Sequence, residues 1–175
     1  GPAVATVCDV PRDDAYVACL VDRVVDAVGQ AVAALEPAEV GFGHTFEFGL
    51  THNRRTALRD GTTTTHGLGF RHPLALYTEG PIDPEVAVLA ARRPGGALLG
   101  AVVNFACHPV HYGGEPVVTA GFPGVLAATL AARGCPHTVF LNGACGNLSP
   151  GNPVMPIQPT MEDIGRRLAE DAGAA

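Results

Sequence analysis

One segment limits the possible folds of this chain more than any other. From Ala97 to Cys107 the residues are apolar with a single interruption at Asn104, and His108-Pro109 closes the run abruptly. The run is continuous enough to predict a central, buried β-strand. A second apolar stretch, Glu85 to Ala91, lies just upstream across Arg93-Pro94-Gly95-Gly96. Two such runs joined by a Pro-Gly-Gly turn predict a β-hairpin. A strand that apolar needs other layers to cover it, so the rest of the chain must supply helices.

The flanking sequence does so. Tyr16, Leu20, Val24, Ala27, Ala31 and Leu35 recur at three- and four-residue steps, with Asp22, Asp26 and Gln30 on the opposite side. This predicts a helix over Asp13 to Leu35, opened by Pro11 and two acids and closed by Pro37. Val40, Phe42, Phe46 and Phe48 then alternate at the strand period. Residues 51–72 are polar and predict loop with a short hairpin. Pro123 to Arg133 predicts a helix with Pro at its first position and Gly134 past its end. Thr138 to Leu141 predicts a short buried strand, and Thr160 with Asp163 a capping box that opens a last helix over Ile164 and Leu168. The order predicts an α/β fold, a mixed β-sheet flanked by helices, with 1–175 as one unbroken part of a larger catalytic domain. Gly1 stands where a starting Met would, so the natural start is expected upstream.

Composition excludes several functions. Net charge is −6 and all eleven cationic side chains are Arg, which leaves no basic face for nucleic acid. No apolar stretch approaches the ~18 residues of a transmembrane helix. The five cysteines, Cys8, Cys19, Cys107, Cys135 and Cys145, form no CxxC pair and are expected as free thiols.

Three segments hold residues suited to chemistry, each near a strand end, where loops converge over an α/β sheet. His108, locked by Pro109 at the end of the apolar run, can present a fixed ring nitrogen to a metal or a proton. A hydrogen-bonded histidine at a strand end is the plainer alternative, and His111 is a further candidate ligand expected to be solvated. Asn142 to Pro150 is glycine-rich, so backbone amides near Gly143 or Gly146 can approach an oxyanion. In Asn53-Arg54-Arg55, either arginine can fork onto a carboxylate or oxyanion. Ser149, the single serine, has no glycine elbow and precedes Pro150, which argues against a serine nucleophile. Cys145 with His108 or His137 as base is a thiol alternative.

These same segments, taken in order, resemble the N-terminal domain of the neutral/alkaline ceramidase family, zinc-dependent amidases that hydrolyse the N-acyl bond of ceramide. The resemblance runs through Asn53-Arg54-Arg55, Gly80-Pro81-Ile82-Asp83-Pro84-Glu85-Val86 and Asn104 to Pro109. It continues through Val118-Thr119-Ala120-Gly121-Phe122-Pro123-Gly124 and Phe140 to Pro150. It implies that His108 is a zinc ligand and that Arg54 is an active-site arginine in contact with substrate. Gly1-Pro2 resembles the tail of the family's His-Thr-His-x-Gly-Pro segment, so two further histidines are expected upstream, and a glutamate and a tyrosine downstream. One zinc ligand of four would then lie in this chain, and the substrate would be a small-molecule or lipid amide. The chain departs from the family at Ala120 and Gly121, where a serine and an aspartate are expected, and at Asn147, where an aspartate is expected. The expected function is zinc-dependent hydrolysis of N-acyl bonds; the alternative is a degenerate homologue kept as a binding or structural domain.

Overall fold

A computed structural model describes residues 13–65, 72–111, 117–151 and 157–175. The expectations placed on Gly1-Pro2, Cys8 and Pro11 lie outside the described residues. The chain divides at Pro37 into two compact units. The first contains helix α1 (Asp14–Ala33), whose N-cap Asp13 accepts a hydrogen bond from the Tyr16 amide. That is the start the two acids predict, since Asp at the N-cap satisfies an otherwise orphaned amide.

The second unit holds a four-stranded sheet. β1 (Glu39–Phe46) pairs antiparallel with β6 (Glu85–Arg92), β6 antiparallel with β7 (Leu98–Phe105), and β7 parallel with β8 (Thr138–Asn142). The β6–β7 hairpin turns where Pro94-Gly95-Gly96 predicts, with Gly95 at φ +63. Helix α2 (Gly121–Ala132) connects β7 to β8, and α3 (Met161–Ala174) packs beside it. The Thr160–Asp163 capping box of α3 is present in both directions. The polar segment after β1 is more ordered than its composition suggests. β2 (Thr51–Asn53) pairs with β9 (Leu148–Pro150), and β3 (Arg55–Leu58) lies between β4 (Thr63–Thr65) and β5 (Ala75–Thr78).

One face of the large sheet carries the core. Val86, Val88, Val103 and Phe105 meet Phe122, Leu126 and Leu130 of α2 and Ile164, Leu168 and Ala169 of α3. Phe122 stands edge-on to Phe140 with centroids 5.3 Å apart. Full burial of an aromatic of this size is worth roughly 1.5–3 kcal/mol, so Phe105 and Phe122 anchor the sheet to the helices.

Three expectations need correction. β7 is not buried on both faces: Phe42, Leu89, Val102 and Val139 pair in one cross-strand row on the outer face, and Phe42, Leu89 and Val139 stand exposed. β8 likewise alternates, with Leu141 exposed, because strand side chains point to opposite faces in turn. Helix α2 also begins two residues before Pro123, at Gly121, where Thr119 Oγ1 accepts the Gly121 amide at 3.0 Å. Among the described residues no helix is long and apolar enough to cross a membrane.

Candidate active site

The site is set by strand register. In the parallel β7–β8 ladder Phe105 is the partner of Asn142. Three residues beyond each partner stand His108 and Cys145, so two side chains 37 positions apart arrive at the same level past the strand ends. Cys145 Sγ lies 3.5 Å from His108 Nδ1. The loops are held close. The Gly143 amide donates to Phe105 O at 3.1 Å, and a Cβ at Gly143 would fall 3.0 Å from the Ala106 methyl. The Asn142 carboxamide lies within reach of the Cys107 amide. His108 is half-buried, its carbonyl accepting the Val110 amide at 2.9 Å and the Cys107 thiol at 3.6 Å. Cys107 itself is fully buried, and that burial pushes its thiol up to about 12. It is therefore an inert neighbour.

Arg54 reaches the same loop from the opposite side. Its amide donates to Asn147 O and its Nη2 to Gly146 O, both at 2.8 Å. The β2–β9 pairing makes this possible. Thr51, His52 and Asn53 lie opposite Pro150, Ser149 and Leu148, so the next residue, Arg54, meets the turn that carries Cys145. The three residues of Asn53-Arg54-Arg55 thus divide their work. Asn53 is buried and accepts the Arg55 amide through Oδ1. Arg55 pairs with Glu79 at 2.6 Å. Arg54 alone turns to the site loop.

Several expectations change here. Gly143 does not offer its amide to an oxyanion, because Phe105 O already takes it. At Gly146 no atom of the described residues lies within 4 Å of a Cβ position, so among them that end of the loop is open to approach. His111 is not solvated: both ring nitrogens are buried without a hydrogen-bond partner among the described residues, and the ring stands edge-on to Phe122. Burial holds its pKa below the ordinary histidine value, opposed by the charge of Glu162. His137 is exposed, and its carbonyl takes the Ala101 amide at the other end of β7. His108, not His137, is the partner of Cys145. Ser149 sits in β9, its carbonyl bonded to Thr51 Oγ1, consistent with a structural serine.

The donor set bears on metal binding. Among the described residues no group of three or more His, Cys, Asp or Glu side chains is placed to hold an ion. A catalytic zinc takes three protein ligands and an open position. The described residues therefore do not supply a whole site; the donors they bring together here are the His108 imidazole and the Cys145 thiol. Sequence reasoning missed the β2–β9 pairing and left Cys145 with either His108 or His137 as its partner; the equal three-residue overhang of two strands is the signal that selects His108, visible only once their register is known.

No protein-family model and no curated protein matches the chain. Solved structures do. The neutral ceramidase from Pseudomonas aeruginosa matches with a TM-score of 0.65 and 22% identity, over 88% of this chain and 25% of that one. A structure described as ceramidase complexed with C2 matches equally, over 88% of this chain and 24% of that one. The chain spans about a quarter of the length of these structures, and it shares with them a ceramidase-like α/β fold.

Proposed function

We propose that this chain is part of a zinc-dependent hydrolase of N-acyl amide bonds, with a small-molecule or lipid amide as substrate. The observation that carries the reading is the convergence of Arg54, His108 and the open Gly146 turn at the C-terminal ends of parallel β7 and β8, in a ceramidase-like fold. On this reading 1–175 is one part of the catalytic domain, and His108 is its zinc ligand, the remaining ligands coming from elsewhere in the protein. Zinc held there would lower the pKa of a bound water to ~7 and make hydroxide available near neutrality. Arg54 places a permanent positive charge beside the Gly146 turn, where it steadies negative charge developing on an acyl oxygen. The Asn142 and Gly143 bonds hold the two strand ends together, so that His108 and Arg54 keep a fixed separation while substrate binds.

The test is an N-acyl amidase assay on the natural-length protein, with short- and long-chain amides, alongside metal analysis. His108→Ala should lose zinc and at least about 100-fold in kcat/KM, while Arg54→Ala should keep zinc and lose turnover. Full zinc content and full activity in His108→Ala would overturn the reading. A second reading is favoured by the 3.5 Å contact: Cys145 Sγ as nucleophile toward the acyl carbon, with His108 taking its proton. Activity that survives chelators but not Cys145→Ser would select it. Loss of turnover in the parent protein itself would favour the degenerate homologue, for which Ala120 and Gly121 speak.

A further inference from the structure

We infer that Cys145 is the positioning residue of His108: its sulfur accepts the Nδ1 proton, fixes the ring, and leaves Nε2 as the nitrogen that meets a metal. The inference deepens the zinc reading and rests on it for the metal, though not for the pairing itself. A neutral imidazole has one donor nitrogen and one acceptor nitrogen, so whatever engages one sets the role of the other. Histidines that ligate metals nearly always give their second N–H to an orienting partner. Here Nδ1 faces Cys145 Sγ at 3.5 Å. The backbone under the ring is already fixed, by Pro109 behind it and by two bonds to the His108 carbonyl. Rotation of the ring about its own side-chain bonds is the remaining freedom, and Cys145 is the contact that restrains it. Cys145 is itself held in place, because its carbonyl accepts the Leu148 amide at 2.9 Å and closes the turn. Arg54 braces the same turn at Gly146, so the partner of His108 sits on a loop fixed from both sides.

The experiment reads the tautomer directly. Long-range ¹H–¹⁵N correlation spectra of the uniformly ¹⁵N-labelled natural-length protein, metal-free and near neutral pH, should show His108 protonated at Nδ1 and bare at Nε2. Cys145→Ser keeps an acceptor and should keep that tautomer; Cys145→Ala should give a mixture, with His52 and His137 unmoved as controls for folding. Added Zn²⁺ should then shift Nε2 of His108, with affinity weakened about 10–100-fold in Cys145→Ala and recovered in Cys145→Ser. A bare Nδ1 in the parent protein would overturn the inference. So would a thiolate-to-metal charge-transfer band with Co²⁺ that Cys145→Ala abolishes, since Cys145 would then be a ligand. An Nδ1–H tautomer on which Zn²⁺ has no effect would uphold the pairing and refute the zinc amidase, so the two readings fail separately.

Discussion

Replacing Gly165 with Ala sets a gain in helix propensity against a steric loss, and the structure decides which is larger. Gly165 lies in α3 where it crosses α2. An added Cβ would fall 2.5 Å from Val125 Cβ and 2.8 Å from Phe122 O. Carbon atoms rest in contact at roughly 3.5–4.0 Å, so the shortfall is about 1 Å. Neither neighbour is the loose end of a flexible side chain: one is a branch carbon and the other is backbone. The helices must therefore move apart, which loosens Phe122, Leu126, Ile164 and Leu168, all fully buried. Overpacking of this kind costs about 1–3 kcal/mol. Removing a glycine from a helix interior returns about 0.5–1 kcal/mol. The two ranges leave a net loss of about 0–2.5 kcal/mol, and the close approach to a branch carbon and to backbone puts Gly165→Ala in the upper part of it. Gly173→Ala is the control, because nothing among the described residues lies within 4 Å of its Cβ position and it sits near the end of the same helix. It should gain at most about 0.5 kcal/mol. Urea unfolding measures both, with a shifted midpoint at constant slope marking a true change in stability. A Gly165→Ala protein as stable as its parent would refute the close helix crossing.

Two more outcomes follow from charged and capping groups. Burial first, and then the charge of Glu47, hold Asp171 above the usual carboxylate range against the pull of Arg167. The folded state thus binds this proton more tightly than the unfolded state, and stability falls as pH rises through the unfolded and then the folded pKa. Asp171→Asn should raise the urea midpoint at neutral pH, with the advantage shrinking as pH drops toward about 4; a lower midpoint at neutral pH would show that the Arg167 pair outweighs the burial. Thr160→Ala removes the hydroxyl half of the α3 capping box and leaves the residue-160 amide bonded to the Asp163 carboxylate; it should cost about 0.5–2 kcal/mol in thermal unfolding. An unchanged Tm would contradict it.

What the sequence reveals follows the range of the forces involved. Helix α1, the β6–β7 hairpin and the α3 cap are written in local signals: an acid at an N-cap, a Pro-Gly-Gly turn, a Thr–Asp reciprocal pair. Each is satisfied within four or five residues, so each is readable without a partner. Strand pairing at long range has no such signature. β2 and β9 are three residues each, and their partners lie 95 or more positions apart, yet that short ladder is what carries Arg54 to the Gly146 turn. The burial of β7 is misread for a related reason. An apolar run shows that a strand avoids water, while which face meets helices depends on elements that composition does not locate. His108 was legible as a fixed side chain at a strand end. Residue types alone offer Cys145 either His108 or His137 as a partner, and the choice between them needs the β7–β8 register.

The departures at Ala120 and Gly121 are of different kinds, and the difference bears on whether a ceramidase-type pair can be restored. Ala120 is exposed at the N-cap of α2 and makes no side-chain bond there, so Ala120→Ser adds a hydroxyl without displacing anything. Gly121 is buried at φ +59, in the left-handed region, with its Cβ position 3.4 Å from Pro109 O and 3.5 Å from both Pro109 Cβ and Pro123 Cδ. It lets the first turn of α2 rest on the residue that follows His108. An aspartate at 121 must adopt a backbone conformation that costs L-residues about 1–2 kcal/mol. It must also bring a carboxylate into a buried position, where an unpaired charge is opposed by desolvation. Gly121→Asp should therefore destabilise the protein by about 1–3 kcal/mol and shift the His108 resonances, whereas Ala120→Ser should leave both near the parent. A Gly121→Asp protein with parental stability and unmoved His108 signals would mean that α2 does not bear on Pro109 and that an aspartate is accommodated at 121. If instead the loss is observed, the glycine is part of how this chain seats its His-Pro turn, and the resembled serine–aspartate pair has no place here to be restored as a unit.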